Sequence, residues 1–119
     1  MGKGVVPDSH QLNISPARSM ALKEADLVIL LGARLNWILH FGLPPRFNPN
    51  VKVIQVDVCS EEMGHNVESS ARLVGDCGAC VDALNQGIGG FSFNGKDWIE
   101  KLAAKSQKNI KINEELIAK

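Results

Sequence analysis

Leu27-Val28-Ile29-Leu30-Leu31 is an unbroken apolar run stopped by Gly32, and Val51-Lys52-Val53-Ile54-Gln55-Val56 repeats the pattern before Asp57. Short apolar runs closed by a turn residue are the mark of strands covered on both faces, as parallel strands are when helices pack above and below the sheet. A third, shorter run, Arg72-Leu73-Val74, is closed by Gly75 and Asp76. Parallel strands need crossover connections, so these runs commit the chain to an α/β architecture.

The segments between the runs fit that plan. Ser15 is an N-cap residue type followed by Pro16, and Ala17, Met20 and Ala21 recur at helical spacing, which predicts a helix before the first strand. Asp76 is placed to cap a second helix, in which Cys77, Cys80, Val81 and Leu84 fall on one stripe facing the sheet. Residues 1–14 read as loop. Residues 85–95 hold four glycines around Phe91 and Phe93 and read as a connector, and the Lys- and Glu-rich tail from Lys96 to Lys119 reads as one or two weakly anchored helices. Three strands make a small sheet, so the expected fold is a doubly wound, mostly parallel, Rossmann-like domain truncated at its N-terminal side, covering residues 1–87, with a connector and helical tail over residues 88–119.

Charge and composition narrow the partners. Lys plus Arg and Asp plus Glu both number 13, so no net field gathers nucleic acid or an anionic membrane. The longest apolar stretch, Leu27 to Ala33, is about a third of the length that crosses a bilayer. The opening residues lack a secretory pattern, and the 3 cysteines cannot pair completely, so reduced thiols in an intracellular compartment are the expectation.

Ligands of open α/β sheets sit beyond the carboxyl ends of the strands. Gly32-Ala33-Arg34 follows the first run there, glycine allowing close approach to backbone and Arg34 offering a bidentate donor for phosphate or a flat cation for a base. A glycine that only makes the turn, with Arg34 in water, fits the same three residues. Asp57 ends the second run where an acidic side chain in Rossmann-like domains receives a ribose hydroxyl, although Gly-x-Gly-x-x-Gly and Walker sequences are missing and a plain strand-ending aspartate also fits. Cys77-Gly78-Ala79-Cys80 has the spacing of a thiol oxidoreductase at a helix start, yet both cysteines lie on the apolar stripe, where free cysteine serves as a small hydrophobe. His10, His40 and His65 match no catalytic or metal-ligand spacing, and Gly75-Asp76 lacks the third glycine and downstream asparagine of the magnesium-diphosphate motif of thiamine enzymes.

The stretches 1–10, Ala17-Arg18-Ser19, Ala25-Asp26, Gly32 through Arg46 and Ile54-Gln55-Val56-Asp57-Val58 resemble the central domain of the 2-hydroxyacyl-CoA lyase family, with oxalyl-CoA decarboxylases similar but more distant. The resemblance runs from residue 1 to residue 87 and is most specific over residues 33–46. It implies a thiamine-diphosphate- and magnesium-dependent parent, a homotetramer of three-domain subunits that cleaves a 2-hydroxyacyl-CoA to formyl-CoA and an aldehyde in peroxisomal fatty acid alpha-oxidation; a cytoplasmic setting stays open. It implies too that the cofactor lies between the first and third domains of paired subunits, so that this chain carries no catalytic or metal-binding residue of its own. The resemblance implies a central domain that carries an ADP moiety, either free or as part of FAD, with Arg34, Asp57 and Val58 against base or ribose, Gly32 at the turn before Arg34, and Asp76 and Cys77 lining the same edge.

Overall fold

The computed structural model describes residues 2–119; Met1, the first residue of the family-like opening loop, lies outside the described residues. Contacts gather into two compact units, one formed by Leu22–Ser92 and the other by Gly2–Ala21 with Phe93–Lys119. The connector expected after residue 87 thus divides at residues 92 and 93.

The first unit is built on a three-stranded sheet. Strands β1 (Leu27–Leu31), β2 (Lys52–Asp57) and β3 (Ala71–Val74) lie in the order β1-β2-β3, each pair parallel. Leu27 is opposite Lys52 and Leu31 opposite Val56, while Ile54 faces Ala71 and Asp57 faces Val74. All three expected strands are present, with the parallel sense that the apolar runs imply.

One face of the sheet carries the core. Leu30, Leu35, Phe47 and Val53 are buried together, and Leu22, Val28, Ala33, Leu39, Val51 and Val67 pack around them. Each large apolar side chain fully withdrawn from water there contributes about 1.5–3 kcal/mol. On the sheet, helix α2 (Cys77–Gly87) packs against β2. Its half-buried residues are Cys77, Cys80, Val81 and Leu84, the stripe that the spacing predicts.

The first strand departs from its sequence signature. Leu30 is 6% exposed, but Leu27, Ile29 and Leu31 retain 46%, 48% and 50% of their surface. The physical reason is placement: β1 is an edge strand, and the helix on the sheet sits over β2, one strand away. A second departure is the start of the first helix. Ile14, not Ser15, occupies the cap position; Ser15–Ala17 form a 3₁₀ turn and α1 (Arg18–Glu24) follows. The Ser15 hydroxyl is engaged by the Asn13 side chain at 2.6 Å and so caps nothing.

In the second unit the tail is a single helix, α3 (Lys96–Ile117), packed on the Ser15–Ala17 turn with Leu102 buried. Among the described residues no helix is long and apolar enough to cross a membrane.

The turn after β1 is held in an unusual backbone. His40, Phe41 and Gly42 have φ of 51°, 56° and 70°, the left-handed region that costs an L-residue about 1–2 kcal/mol. Gly42 is the glycine among them, and a Cβ there would be crowded, 3.0 Å from Leu35 Cδ1 and 3.1 Å from Val67 Cγ1. Gly42→Ala is expected to lower stability by about 2 kcal/mol. A urea titration followed by circular dichroism checks this, and an unchanged midpoint contradicts it.

Candidate functional site at the carboxyl rim of the sheet

Because the three strands are parallel, their carboxyl ends share one rim, and the backbone extends each ladder slightly past it. The Gly32 amide donates to Val56 O at 2.8 Å, and the Gly75 amide donates to Asp57 O at 2.9 Å. Gly32 has φ of 64°, and a Cβ on it would lie 3.4 Å from Cys77 Sγ. The first turn of α2 therefore stands directly against the chain leaving β1. Cys80 Sγ stands likewise 3.5 Å from the Cβ position of Gly75. Both sulfurs of the Cys-x-x-Cys are free thiols packed against the glycines that follow β1 and β3.

Each residue singled out from sequence can now be placed. Gly32 follows β1, Asp57 and Val58 end and follow β2, and Asp76 and Cys77 open α2 just beyond β3. Asp57 Oδ1 accepts the Cys59 amide at 2.9 Å, which folds the chain over at the strand end. A carboxylate has about four lone-pair sites, so one such bond leaves capacity for a hydroxyl. Val58 is 69% exposed and offers an apolar surface beside it. Asp76 Oδ2 accepts the Ala79 amide at 3.0 Å, as the N-cap expectation requires, and the first-turn amides and positive helix end stand at the same rim.

Arg34 is held differently from the rest. Its Nε lies 3.4 Å from Glu62 Oε1, with the two side chains 68% and 24% exposed. An ion pair this open contributes about 0–1 kcal/mol, so the guanidinium is oriented at little cost to its release.

Sequence reasoning missed the residue that positions Glu62. Gln55, on β2, is 4% exposed, and its side chain holds three points of the β2–β3 connection. Its Oε1 accepts the Gly64 amide at 2.8 Å and the Ser69 hydroxyl, while its Nε2 donates to Glu62 O at 3.4 Å. The available signal was a glutamine inside an apolar strand, because a buried amide must find partners. Asn66 adds a tie of the same kind, donating from Nδ2 to Leu35 O at 2.9 Å.

These residues do not fit thiamine diphosphate and its metal. The Asp76 carboxylate is used as a helix cap, and among the described residues no three His, Cys, Asp or Glu side chains are grouped to hold a metal ion.

Comparison with known proteins supplies an independent line. Residues 1–84 match the family model described as thiamine pyrophosphate enzyme, central domain. The chain is 46% identical to 2-hydroxyacyl-CoA lyase 1 of Homo sapiens over 122 residues, 100% of this chain and 21% of the relative. It is 55% identical to a 2-hydroxyacyl-CoA lyase of Saccharomyces cerevisiae over 87 residues, 71% of this chain and 16% of the relative. An oxalyl-CoA decarboxylase of Escherichia coli is more distant, at 37% over 84 residues, 71% of this chain and 15% of the relative. The chain thus spans about a fifth of the length of the curated relatives that match all of it.

Just outside the rim, the exposed Cys59 Sγ donates to Glu61 Oε2 at 3.0 Å. That bond, then the carboxylate's charge, raises the thiol above its ordinary pKa, and the same bond lowers that of Glu61. A raised pKa means less thiolate at any given pH below it. Alkylation of Cys59 by iodoacetamide, followed by peptide mass mapping, is therefore expected to rise at higher pH than for an unperturbed thiol. Glu61→Gln is expected to move the profile down; identical profiles for both proteins would contradict the assignment.

Proposed function

The chain belongs to the thiamine pyrophosphate enzyme central-domain family, and from that premise we propose that it forms part of the central domain of a thiamine-diphosphate-dependent 2-hydroxyacyl-CoA lyase, with its strand rim holding an ADP moiety. The observation that carries the nucleotide reading is the sharing of one rim by Arg34, Asp57 and the capped start of α2 on successive parallel strands. In this reading a phosphate takes the place of Glu62 on the Arg34 guanidinium, with first-turn amides of α2 beside it. The free capacity of the Asp57 carboxylate receives a ribose hydroxyl, and Val58 lies against the base. The ADP moiety is either the free nucleotide or the one within CoA.

Catalysis in the parent falls to the remaining domains of the subunit, which supply thiamine diphosphate, magnesium and the acyl-CoA site. The proposal extends to a homotetrameric parent and a peroxisomal setting, both resting on the family likeness. Lyase is favoured over decarboxylase because the human lyase matches 100% of the chain at 46% identity, whereas the relative named oxalyl-CoA decarboxylase matches 71% of it at 37%.

Two measurements test the reading. Titration of the isotope-labelled chain with ADP, and separately with CoA, is expected to shift the amides of residues 32–37 and 57–58, and Arg34→Ala is expected to weaken the binding about tenfold. Resonances that stay fixed at millimolar ligand overturn the nucleotide role. The chain by itself, supplied with thiamine diphosphate, magnesium and a 2-hydroxyacyl-CoA, is expected to produce no formyl-CoA, and turnover would overturn the division of labour.

A further inference from the structure

The connection leaving β2 is acidic throughout. From Asp57 to Ala71 the chain carries four carboxylates, Asp57, Glu61, Glu62 and Glu68, and neither lysine nor arginine. Two of them meet at one residue. Cys59 donates its amide to Asp57 Oδ1 at 2.9 Å and its thiol to Glu61 Oε2 at 3.0 Å, so both carboxylates stand around the same cysteine. The bond lengths within Cys59 then hold them inside one Debye length of each other, about 10 Å at 0.1 M salt. The bond to the thiol also lowers the pKa of Glu61, which keeps it anionic at neutral pH.

The cations nearby are placed elsewhere. Arg34 lies 3.4 Å from Glu62 and is the group that a phosphate of the diphosphate takes in the proposed site. Arg72 is opposite Gln55, two residues short of Asp57 along the ladder, and its Nη2 stands 2.6 Å from the Cβ position of Gly64. The first-turn amides of α2 follow β3 and not β2. Negative charge therefore dominates where the proposed ribose lies.

Dinucleotide-binding domains meet this choice with opposite residue types, a carboxylate near the end of the second strand receiving a ribose hydroxyl and an arginine accommodating a ribose phosphate. Asp57, with Glu61 behind it, is of the first type. The 2′- and 3′-hydroxyls of a ribose are vicinal, so a carboxylate that accepts from one stands beside both. A phosphate on either oxygen removes one donor of the pair and brings about two negative charges toward Asp57 and Glu61. Rejection then comes from like charge held in place, not from loss of fit.

Resting on the nucleotide reading, we propose that Asp57 and Glu61 select an adenine nucleotide whose ribose carries free 2′- and 3′-hydroxyls, and discriminate against one phosphorylated there. Free ADP is thereby preferred over CoA, whose ribose bears a 3′-phosphate. Asp57 touches the ribose, and Glu61 acts on it through charge.

Dephospho-CoA differs from CoA by that phosphate alone, so the ratio of their dissociation constants, read from amide shifts of the full chain, isolates the selection. CoA is expected to bind about tenfold more weakly than dephospho-CoA, with ADP within about threefold of dephospho-CoA. Glu61→Gln is expected to bring the ratio down to about three, and salt at about 1 M, where the Debye length is about 3 Å, to bring it close to one. Arg34→Ala weakens both ligands and is expected not to lower the ratio. ADP binding with CoA and dephospho-CoA equal overturns the selection and leaves the nucleotide reading standing. A ratio that neither Glu61→Gln nor salt moves overturns the assignment to these carboxylates. If ADP and dephospho-CoA both leave the amides of residues 32–37 and 57–58 fixed, the selection and the nucleotide reading fall together.

Discussion

Two backbone hydrogen bonds define the carboxyl rim of the sheet, on which the proposed site is built. Gly32 donating to Val56 O and Gly75 donating to Asp57 O carry the parallel ladders beyond the last residues of β1 and β3. They fix the points at which the chain turns away, so the side chains that follow are delivered to one edge in a set order. An antiparallel pair would send successive strand ends to opposite rims, and Arg34, Asp57 and Asp76 would never share an edge. Parallel register is the constraint; the choice of residues at the rim is secondary to it.

The second constraint is Gln55. A buried amide in the central strand is unfavourable unless its donors and acceptor are used, and here one side chain gathers Glu62, Gly64 and Ser69. The β2–β3 connection is therefore pinned from beneath, and Glu62 is presented to Arg34 from above. Packing and electrostatics are thereby coupled: a core-facing residue decides where an exposed cation points. Gly64 is part of the same arrangement, with φ of 75° and a Cβ position only 2.6 Å from Arg72 Nη2, so a larger residue there would press on the neighbouring guanidinium.

Much of the sheet was legible because its determinants are local. Apolar runs closed by Gly32, Asp57 and Gly75 mark strands and their ends, and Asp76 before an apolar stripe marks a capped helix. The fold class and the parallel sense followed. What was not legible depends on which side chains meet, near or far in sequence. Ser15 has the composition of a cap, but the nearby Asn13 side chain engages its hydroxyl first. The Arg34–Glu62 pair joins residues whose proximity only the β2–β3 connection creates, and the Gln55 network likewise closes between a strand and a loop. The β1 run shows a third kind of limit. Leu27, Ile29 and Leu31 carry the composition of a fully covered strand while one face stays open, because a sequence records the environment a strand suits and not which segment supplies the cover.

The charge balance at the rim sharpens what kind of binding it can support. Arg34 and the positive end of α2 stand against the carboxylates of Asp57, Glu62 and Asp76, so the rim has no positive field with which to draw in a polyphosphate. Selectivity must come from position. Asp76 is committed to its helix, and Asp57 is half committed to its turn, so in the proposed reading Glu62 is the group that a phosphate replaces. Replacing it is inexpensive because the pair is open to solvent, and Glu62, whose main-chain carbonyl accepts the Gln55 amide, keeps its backbone anchor when its carboxylate lets go. In the proposed nucleotide reading the Arg34–Glu62 pair is a placeholder: it keeps the guanidinium oriented without holding it so tightly that a better-matched anion could not take over.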